Sequence, residues 1–429
     1  MTPSRRPRGG LLTRSRFVET VLPARLGRRF RWLLVSSWTT NIGDGVAMAA
    51  GPLLVASQTD DARLVAMAGL LRGLPWLLIG LHAGAMADRL DRRTVVVTAN
   101  LVRSVVLALL CASIATGHVS ITVVLVSVFA LGVAEVFADS TSSTLTPMFV
   151  DKPDLGTANS RMQAGLLTAN QLVGPPVGAF LFAAGMVWPF ASQLVCVLLG
   201  VVLVSRIGST RDQVRDSVDT HVRQDIVEGI RWLWGHAAIR TLAIVILTFN
   251  ITWGAAWSIL VLWSLDRVHM GEVGFGLLTT ASALGGMVGT FLYGRLERRF
   301  DLATLMRTCL LLEVLMHLAL ALTTVPWVAL LIMFGFGAYA FVWFNVSQVV
   351  RQRAVPMEFQ GRVGSVYLIF VFGGMVVGQG IGGGIAQHWG LAAPFWFAFV
   401  GSGLTLALVW SRLPSIAQAD EPAAAASAA

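Results

Sequence analysis

The sequence predicts an all-α integral membrane protein of twelve transmembrane helices, built as two six-helix bundles related by a parallel repeat. Three observations carry that reading. The 429 residues are 55% hydrophobic and only 13% charged, with mean hydropathy +0.71. Soluble domains carry roughly 25% charge, whereas twelve spans of about 20 residues would use roughly 240 apolar-rich positions. Basic residues collect in alternate connections between the apolar runs. Short residue strings also recur at a nearly constant interval.

Apolar runs bounded by charge, Gly or Pro place the first six spans near 32–57, 64–85, 94–116, 119–140, 158–184 and 187–206. The second six fall near 238–263, 273–294, 302–323, 326–350, 362–387 and 391–411. Residues 1–31 form a basic arm with nine Arg and one acid, Glu19. The first apolar run begins too far in, and runs too long, for a cleaved signal peptide. The connection 207–237 is charged, but within 225–234 its apolar residues 226, 227, 230, 233 and 234 share one helical face. That stretch predicts a helix on the membrane surface linking an N-terminal bundle (32–206) to a C-terminal one (238–412). Residues 413–429, with Pro414, Pro422 and a run of small side chains, read as a disordered tail.

Charge sets the orientation. With Arg72 and Arg103 set aside as intramembrane, 28 basic residues lie on the side of the termini and only Arg63 and Arg267 on the other. Cytoplasmic loops hold the positive excess, so both termini are expected in the cytoplasm and the chain in the cell's inner (cytoplasmic) membrane. The net charge of +9 is thereby topological, and nucleic acid is not an expected partner. The single lysine, Lys152, stands in Asp151-Lys152-Pro153, so no P-loop exists to bind ATP. Cys111, Cys196 and Cys309 sit singly in apolar runs, without zinc or disulfide spacing.

The repeat is explicit. Arg89-Leu90-Asp91-Arg92-Arg93 recurs as Arg295-Leu296-Glu297-Arg298-Arg299, 206 residues later. Asn41-Ile42 returns as Asn250-Ile251, Pro147-Met148 as Pro356-Met357, and Pro189-Phe190 as Pro394-Phe395. Parallel repeats of this size build transporters whose substrate site lies between the halves at the bilayer midplane.

The string Gly84-Ala85-Met86-Ala87-Asp88-Arg89-Leu90-Asp91-Arg92-Arg93 between spans 2 and 3 resembles the loop signature of the major facilitator superfamily. With Gly43-Asp44-Gly45 in span 1, it is similar to the enterobactin-exporter and macrolide-efflux branch, and the similarity covers about 32–412. The resemblance implies the major facilitator fold and a rocker-switch secondary transporter. In such proteins the loop charges form a cytoplasmic gate, which places Gly84, Asp88, Arg89, Asp91, Arg92 and Arg93 in that role. A purely topogenic clamp is the alternative. Span 5 carries Asn170-Gln171-Leu172-Val173-Gly174-Pro175-Pro176-Val177-Gly178, similar in part to the antiporter signature of exporters. Pro175 and Pro176 remove backbone donors and predict a kink, while Gly174 and Gly178 allow close helix contact. Helix packing alone explains them equally. Span 11, with seven Gly between 373 and 384, reads as a more flexible counterpart.

Ionisable residues at membrane depth mark pathways or relays. Asp44 and Arg72 fall at comparable depth and could pair. Arg103, Glu135 and Asp139 suggest a second pair or triad, and Glu313 and His317 share a face of span 9 at i and i+4. A carboxylate whose Arg partner is near in one state and distant in another changes its proton affinity with conformation. Asp44 leads as the coupling residue and Glu135 follows; permanent structural pairs are the alternative. Span 4 here carries Glu135 and Asp139 and no Arg, a departure from the familiar drug:proton pattern. The resemblance makes spans 1, 4, 7 and 10 line the cavity, which nominates Asn41, Asn250, Trp253, Trp257, Asn345 and Gln348, with Trp343. Trp32, Trp188, Trp389 and Trp410 suit interfacial anchors.

The resulting expectation is a non-enzymatic, monomeric exporter of a hydrophobic or amphipathic small molecule (antibiotic, other secondary metabolite or siderophore). It would work by antiport against protons, with no bound cofactor or metal, only lipid around it, and a role in antibiotic resistance. An importer on the same fold is the alternative. A membrane receptor or scaffold is disfavoured because no connection exceeds about 35 residues, too short for the folded module of a domain.

Overall fold

The computed structural model describes residues 23–208 and 222–417; the side chains of 24, 81, 82, 84–89 and 222–225 fall outside that description. The described chain is helical. The first half consists of α1 (Arg28–Ala56), α2 (Ala62–Arg89), α3 (Arg92–Ala115), α4 (Ile121–Phe149), α5 (Leu155–Ala184) and α6 (Val187–Ser205). Helix α7 (Val222–Gly235) bridges to α8 (Ala237–Trp257), α9 (Gly271–Arg299), α10 (Leu302–Leu322), α11 (Pro326–Ala354), α12 (Gln360–Trp389), α13 (Ala393–Val409) and α14 (Leu413–Ala417). Ten of these helices, α2–α6 and α8–α12, have the length and apolar composition to cross a membrane. The other two expected spans are α1, which is diluted by Ser, Thr, Asn and Asp44, and α13, which is 17 residues long.

Helix starts follow local chemistry. The Asp61 carboxylate accepts from the Arg63 amide at 2.8 Å, Ser120 Oγ from Val123 at 3.4 Å and Asp301 from Thr304 at 3.3 Å, each satisfying an orphan N-terminal donor. Pro326 and Pro394 occupy the first turns of α11 and α13, where the missing donor costs nothing. Helix α4 runs past its expected end near 140 to Phe149. Ser143 and Thr144 return their hydroxyls to the carbonyls of Ser140 and Thr141 at 2.8 Å, so the polar stretch stays helical.

The same pairings build both halves. In the first, α1 packs on α5 and α6, α2 on α4, and α3 on α4 and α6; in the second, α8 packs on α12 and α13, α9 on α11, and α10 on α11 and α13. The halves meet through α2 with α12 and α5 with α9. That seam lies at the end away from the termini. Ala62 N donates to Gln387 Oε1 at 2.9 Å, and Arg63 Nη2 stands 3.0 Å from His388 Nε2. A Cβ on Gly383 would approach Ala66 Cβ to 2.5 Å, and one on Gly276 would approach Ala179 Cβ to 2.6 Å.

Four expectations need correction. The arm is not separate up to residue 31: α1 begins at Arg28, and Leu26 and Phe30 are buried with Leu145, Val150, Val204 and Ile207. Residues 1–22 lie outside the described residues. The tail is not wholly disordered: α14 forms because Arg412 O accepts from Ile416 N at 3.1 Å, and Leu413 and Ile416 bury in the second half's core. Residues 418–429 lie outside the description. Span 7 does not run evenly to 263: α8 stops at Trp257, and a short turn (Leu260–Leu262) leads into a π-helical segment, Trp263–Arg267. Finally, α12 is an unbroken helix whose glycines are contact surfaces, with Gly374, Gly378 and Gly382 seated on the backbone of α8 and Gly383 on α2.

The linker helix α7 packs through Gly229 and Leu233 against α12. Trp232 stacks on Phe359 at 5.8 Å, and Arg362 meets Glu228 at 2.9 Å. Val227, Ile230 and Trp234 remain exposed along its other side. Linker residues 209–221 lie outside the described residues.

Candidate functional site

Span 5 is where the helical geometry departs most from the α form. After Leu155–Gly165 it widens into a π-helix over Leu166–Val173 and returns to α at Gly174, with Pro175 and Pro176 in the first turn. Proline cannot donate back along the helix, and a π segment absorbs the lost register. The wide segment lies directly on α1. A Cβ at Gly45 would approach the Asn170 and Ala169 carbonyls to 2.6 and 2.7 Å, and Gly174 and Gly178 face Gly45 and Val46 at the same contact. Backbone therefore rests on backbone immediately beside Asp44.

Asp44 opens onto a cavity of about 380 Å³ walled by α1–α4 and α6, with α8, α9 and α12 closing it from the second half. The wall is mainly apolar (Met48, Val65, Leu110, Val128, Phe190, Phe372), interrupted by Asp44, Arg72, Arg103, Glu135, Gln193 and Gln379. Trp76 of α2 stacks on Phe372 of α12 at 5.7 Å across the two halves.

The charges pair differently from the Asp44–Arg72 arrangement that depth alone suggested. Asp44 pairs with Arg103 of α3 in a charged hydrogen bond, and Gln193 of α6 donates to the same carboxylate oxygen at 3.1 Å. Asn100, one turn before Arg103, accepts from its guanidinium at 3.1 Å. Arg72 instead faces Glu135 of α4 at 3.8 Å. The reason is azimuth: α1 and α3 both pack on α6, which brings Asp44 and Arg103 together beside Gln193, whereas α2 packs on α4. The two pairs differ in grip. Arg103 and Asp44 are 3% and 13% exposed, Arg72 and Glu135 44% and 22%. A buried pair is costly to break; a half-exposed pair at the edge of contact exchanges partners readily. Asp139, a turn beyond Glu135, is exposed and contributes with it to the field at Arg103.

Of the seven residues nominated for the cavity, Trp257 lines it, and Trp343 packs against the hydrophobic core instead. Trp253 sits behind Trp257 at 4.6 Å and stacks on Phe336 at 4.2 Å. Asn41, Asn250 and Asn345 return their amides to carbonyls one turn back, on Ser37, Ile246 and Phe341, and Gln348 accepts from Arg351. In the loop motif, Asp91 accepts from Thr94 at 2.7 Å, Arg92 reaches Met148 Sδ at 2.7 Å, and Arg93 donates to Ser205 O at 2.8 Å. These contacts tie the α2–α3 turn to α4 and α6. Gly84 falls within α2, and the side chains of Asp88 and Arg89 lie outside the described residues. Sequence reasoning missed Gln193 and Asn100; the available signal was a lone amide within each apolar helix. Among the described residues no group of His, Cys, Asp and Glu could hold a metal ion.

Residues 21–428 match the model of a family described as transmembrane secretion effector. The multidrug efflux pump Tap of Mycolicibacterium fortuitum is 29% identical over 406 residues, covering 90% of this chain and 96% of that protein. Macrolide efflux protein A of Streptococcus pyogenes is 23% identical over 259 residues, covering 58% of this chain and 63% of that protein. Among solved structures, the nucleoside transporter NupG superposes with a TM-score of 0.70 at 12% identity, covering 91% of this chain and 99% of its own. A bacterial homologue of ferroportin in its inward-facing state gives 0.71 at 16% identity, covering 90% and 98%.

Proposed function

The chain belongs to the transmembrane secretion effector family of the major facilitator superfamily, a multi-pass transporter family and not an enzyme family, and from that membership we propose that it is a proton-coupled exporter of a hydrophobic or amphipathic small molecule. One observation carries the coupling reading: two carboxylate–guanidinium pairs of unequal grip share the wall of an apolar cavity. The loosely held Glu135 is the group that exchanges a proton for cargo, releasing or recapturing Arg72 as it does so. Asp44, locked to Arg103 and Gln193 beside the π-helical segment, changes its proton affinity when that segment moves α1 relative to α3.

The cavity wall suits a solute bound by apolar contact with one or two polar anchors. At about 380 Å³ it stands near the small end of ligand pockets, roughly 300–1,000 Å³, so bulky cargo requires the halves to part. Antibiotics, other secondary metabolites and siderophores are the cargo classes in view, and the names of the relatives favour the first. The seam at Arg63 and His388 is the outer gate, and the end of α2, with Asp88 and Arg89, together with the turn into α3 is the inner one. Both termini lie in the cytoplasm and the chain in the inner membrane, in keeping with its arginines. The proton gradient drives the cycle without a bound cofactor, and one chain suffices.

The test is efflux from proteoliposomes under an imposed proton gradient, using a panel of antibiotics and lipophilic dyes. Wild type should export only with the gradient, and Glu135→Gln should lose gradient dependence. Equal efflux with and without the gradient would remove proton coupling; accumulation in the opposite sense would make the protein an importer.

A further inference from the structure

One buried titratable cluster stands apart from the cavity, in the second half. Glu313 and His317 lie one turn apart on α10, and Tyr339 reaches them from α11. The Tyr339 hydroxyl donates to Glu313 Oε2 at 2.9 Å, and His317 Nε2 stands 3.3 Å from Glu313 Oε1. His317 is 0% exposed, and neither of its ring nitrogens has a hydrogen-bond partner of good geometry. We infer that Glu313 and His317 form a second protonation site, holding one proton between carboxylate and imidazole and sensed by Trp253.

The surroundings define the charge balance. On α10 itself, Cys309 precedes Glu313 by one turn. Helix α11 adds Tyr339; α8 adds Trp253, its ring 6.4 Å from that of His317. Helix α13 presents Gly403 to Val314 and has no titratable side chain in 393–409; α14 adds Leu413 and Ile416. The cations near the two ends of α10 are engaged elsewhere, Arg267 donating to Ala321 O at 2.9 Å and Arg307 to Trp410 O at 3.1 Å. The charged end of α9 (Arg295, Glu297, Arg298, Arg299) begins about 10 Å along the axis from Glu313, at 1.5 Å per residue. With Glu313 ionised and His317 neutral the cluster therefore bears one negative charge, on a side chain 14% exposed within an apolar span, which is expensive. A proton taken from water yields either the carboxylic acid or the imidazolium, and both leave it neutral.

The internal repeat supports the same reading. Asn41-Ile42-Gly43-Asp44 aligns with Asn250-Ile251-Thr252-Trp253, and span 3 with span 9. In the first half the fourth residue of that string faces Arg103 of span 3; in the second it faces His317 of span 9. Each half thus places an ionisable group of its third span against the same position of its first, and in the second half that position is an indole.

The experiment follows intrinsic fluorescence of the purified full-length protein from about pH 5 to pH 9, bracketing imidazole titration. The wild-type curve minus that of Trp253→Phe should contain one titration step. Glu313→Gln and His317→Gln should each abolish the step, whereas Asp44→Asn and Glu135→Gln should leave it in place. Superimposable wild-type and Trp253→Phe curves would overturn the inference, as would a step that survives both substitutions. Should either variant fail to fold, infrared difference spectra of wild type against Glu313→Asp decide it. Acidification should give a carboxylic-acid or imidazolium band that shifts in Glu313→Asp, and an unshifted band overturns the site. Failure of gradient-driven efflux with the fluorescence step intact would remove the coupling reading and leave this site standing.

Discussion

Asp44→Asn removes the negative charge beside Arg103 and leaves a guanidinium that is 3% exposed without its main partner. Breaking a buried pair from one side costs about 3–5 kcal/mol. The lower end applies here, because Glu135 and Asp139 remain in the field of Arg103 and Asn100 still accepts from it. At roughly 2–4 °C per kcal/mol for a unit of about 200 residues, a loss of about 3 kcal/mol lowers the melting temperature by about 6–12 °C. Glu135→Gln breaks a half-exposed pair at 3.8 Å and should cost about 0–1 kcal/mol, or at most about 4 °C. The double variant Asp44→Asn/Arg103→Gln removes both buried charges and should recover to within about 1 kcal/mol of wild type. Thermal unfolding of the detergent-purified protein reads all three. Equal losses for Asp44→Asn and Glu135→Gln, or a double variant no better than the single, would refute the distinction between a locked and an exchangeable pair.

Glycine contacts give a graded series. Gly178→Ala forces a methyl into the Val46 carbonyl and should destabilise by about 1–3 kcal/mol, whereas Gly384→Ala, which meets nothing within 4 Å, should gain about 0.5–1 kcal/mol from helix propensity; melting temperatures check both. Gly383→Leu wedges the seam at Ala62, Arg63 and Ala66 and should raise labelling of a cavity cysteine introduced at Gly51 by an impermeant maleimide added from the Arg63–His388 side. Asp301→Ala deletes the cap on α10 and should cost about 0.5–2 kcal/mol. The hydrogen bond from Thr304 holds the Asp301 carboxyl below its ordinary value. That contribution is therefore present above the unfolded pKa and disappears as pH falls through the folded one, so wild type and Asp301→Ala should converge in acid melts.

The spans were legible because apolar runs report their own length; α3, α6 and α10 match the expected limits within two residues. Pairing was not legible in the same way. Depth follows from counting along a helix, but partner choice depends on azimuth and on which helices touch, and Asp44 turned from its sequence neighbour Arg72 to Arg103 for that reason. Amides misled for a related cause. Asn41, Asn250 and Asn345 looked free to meet cargo, yet an amide in an apolar helix can satisfy itself on the carbonyl one turn back. The broken end of span 7 was hidden because Leu260–Trp263 is as apolar as the helix before it, and hydropathy does not register a change of helical period.

The contact of α1 with α5 has a consequence for how this sequence can vary. Gly45, Gly174 and Gly178 meet a facing backbone with no side chain between, so no neighbouring rotamer can yield to an added methyl group. None of the three lines the cavity, and a cargo-based view would class them as free to drift. A saturation library selected for efflux should instead show these positions almost closed to substitution. Apolar wall positions such as Met48, Val65 and Val128 should accept many residues and trade one cargo for another. Specificity can then diversify across the wall while the backbone contact beside Asp44 is held to glycine.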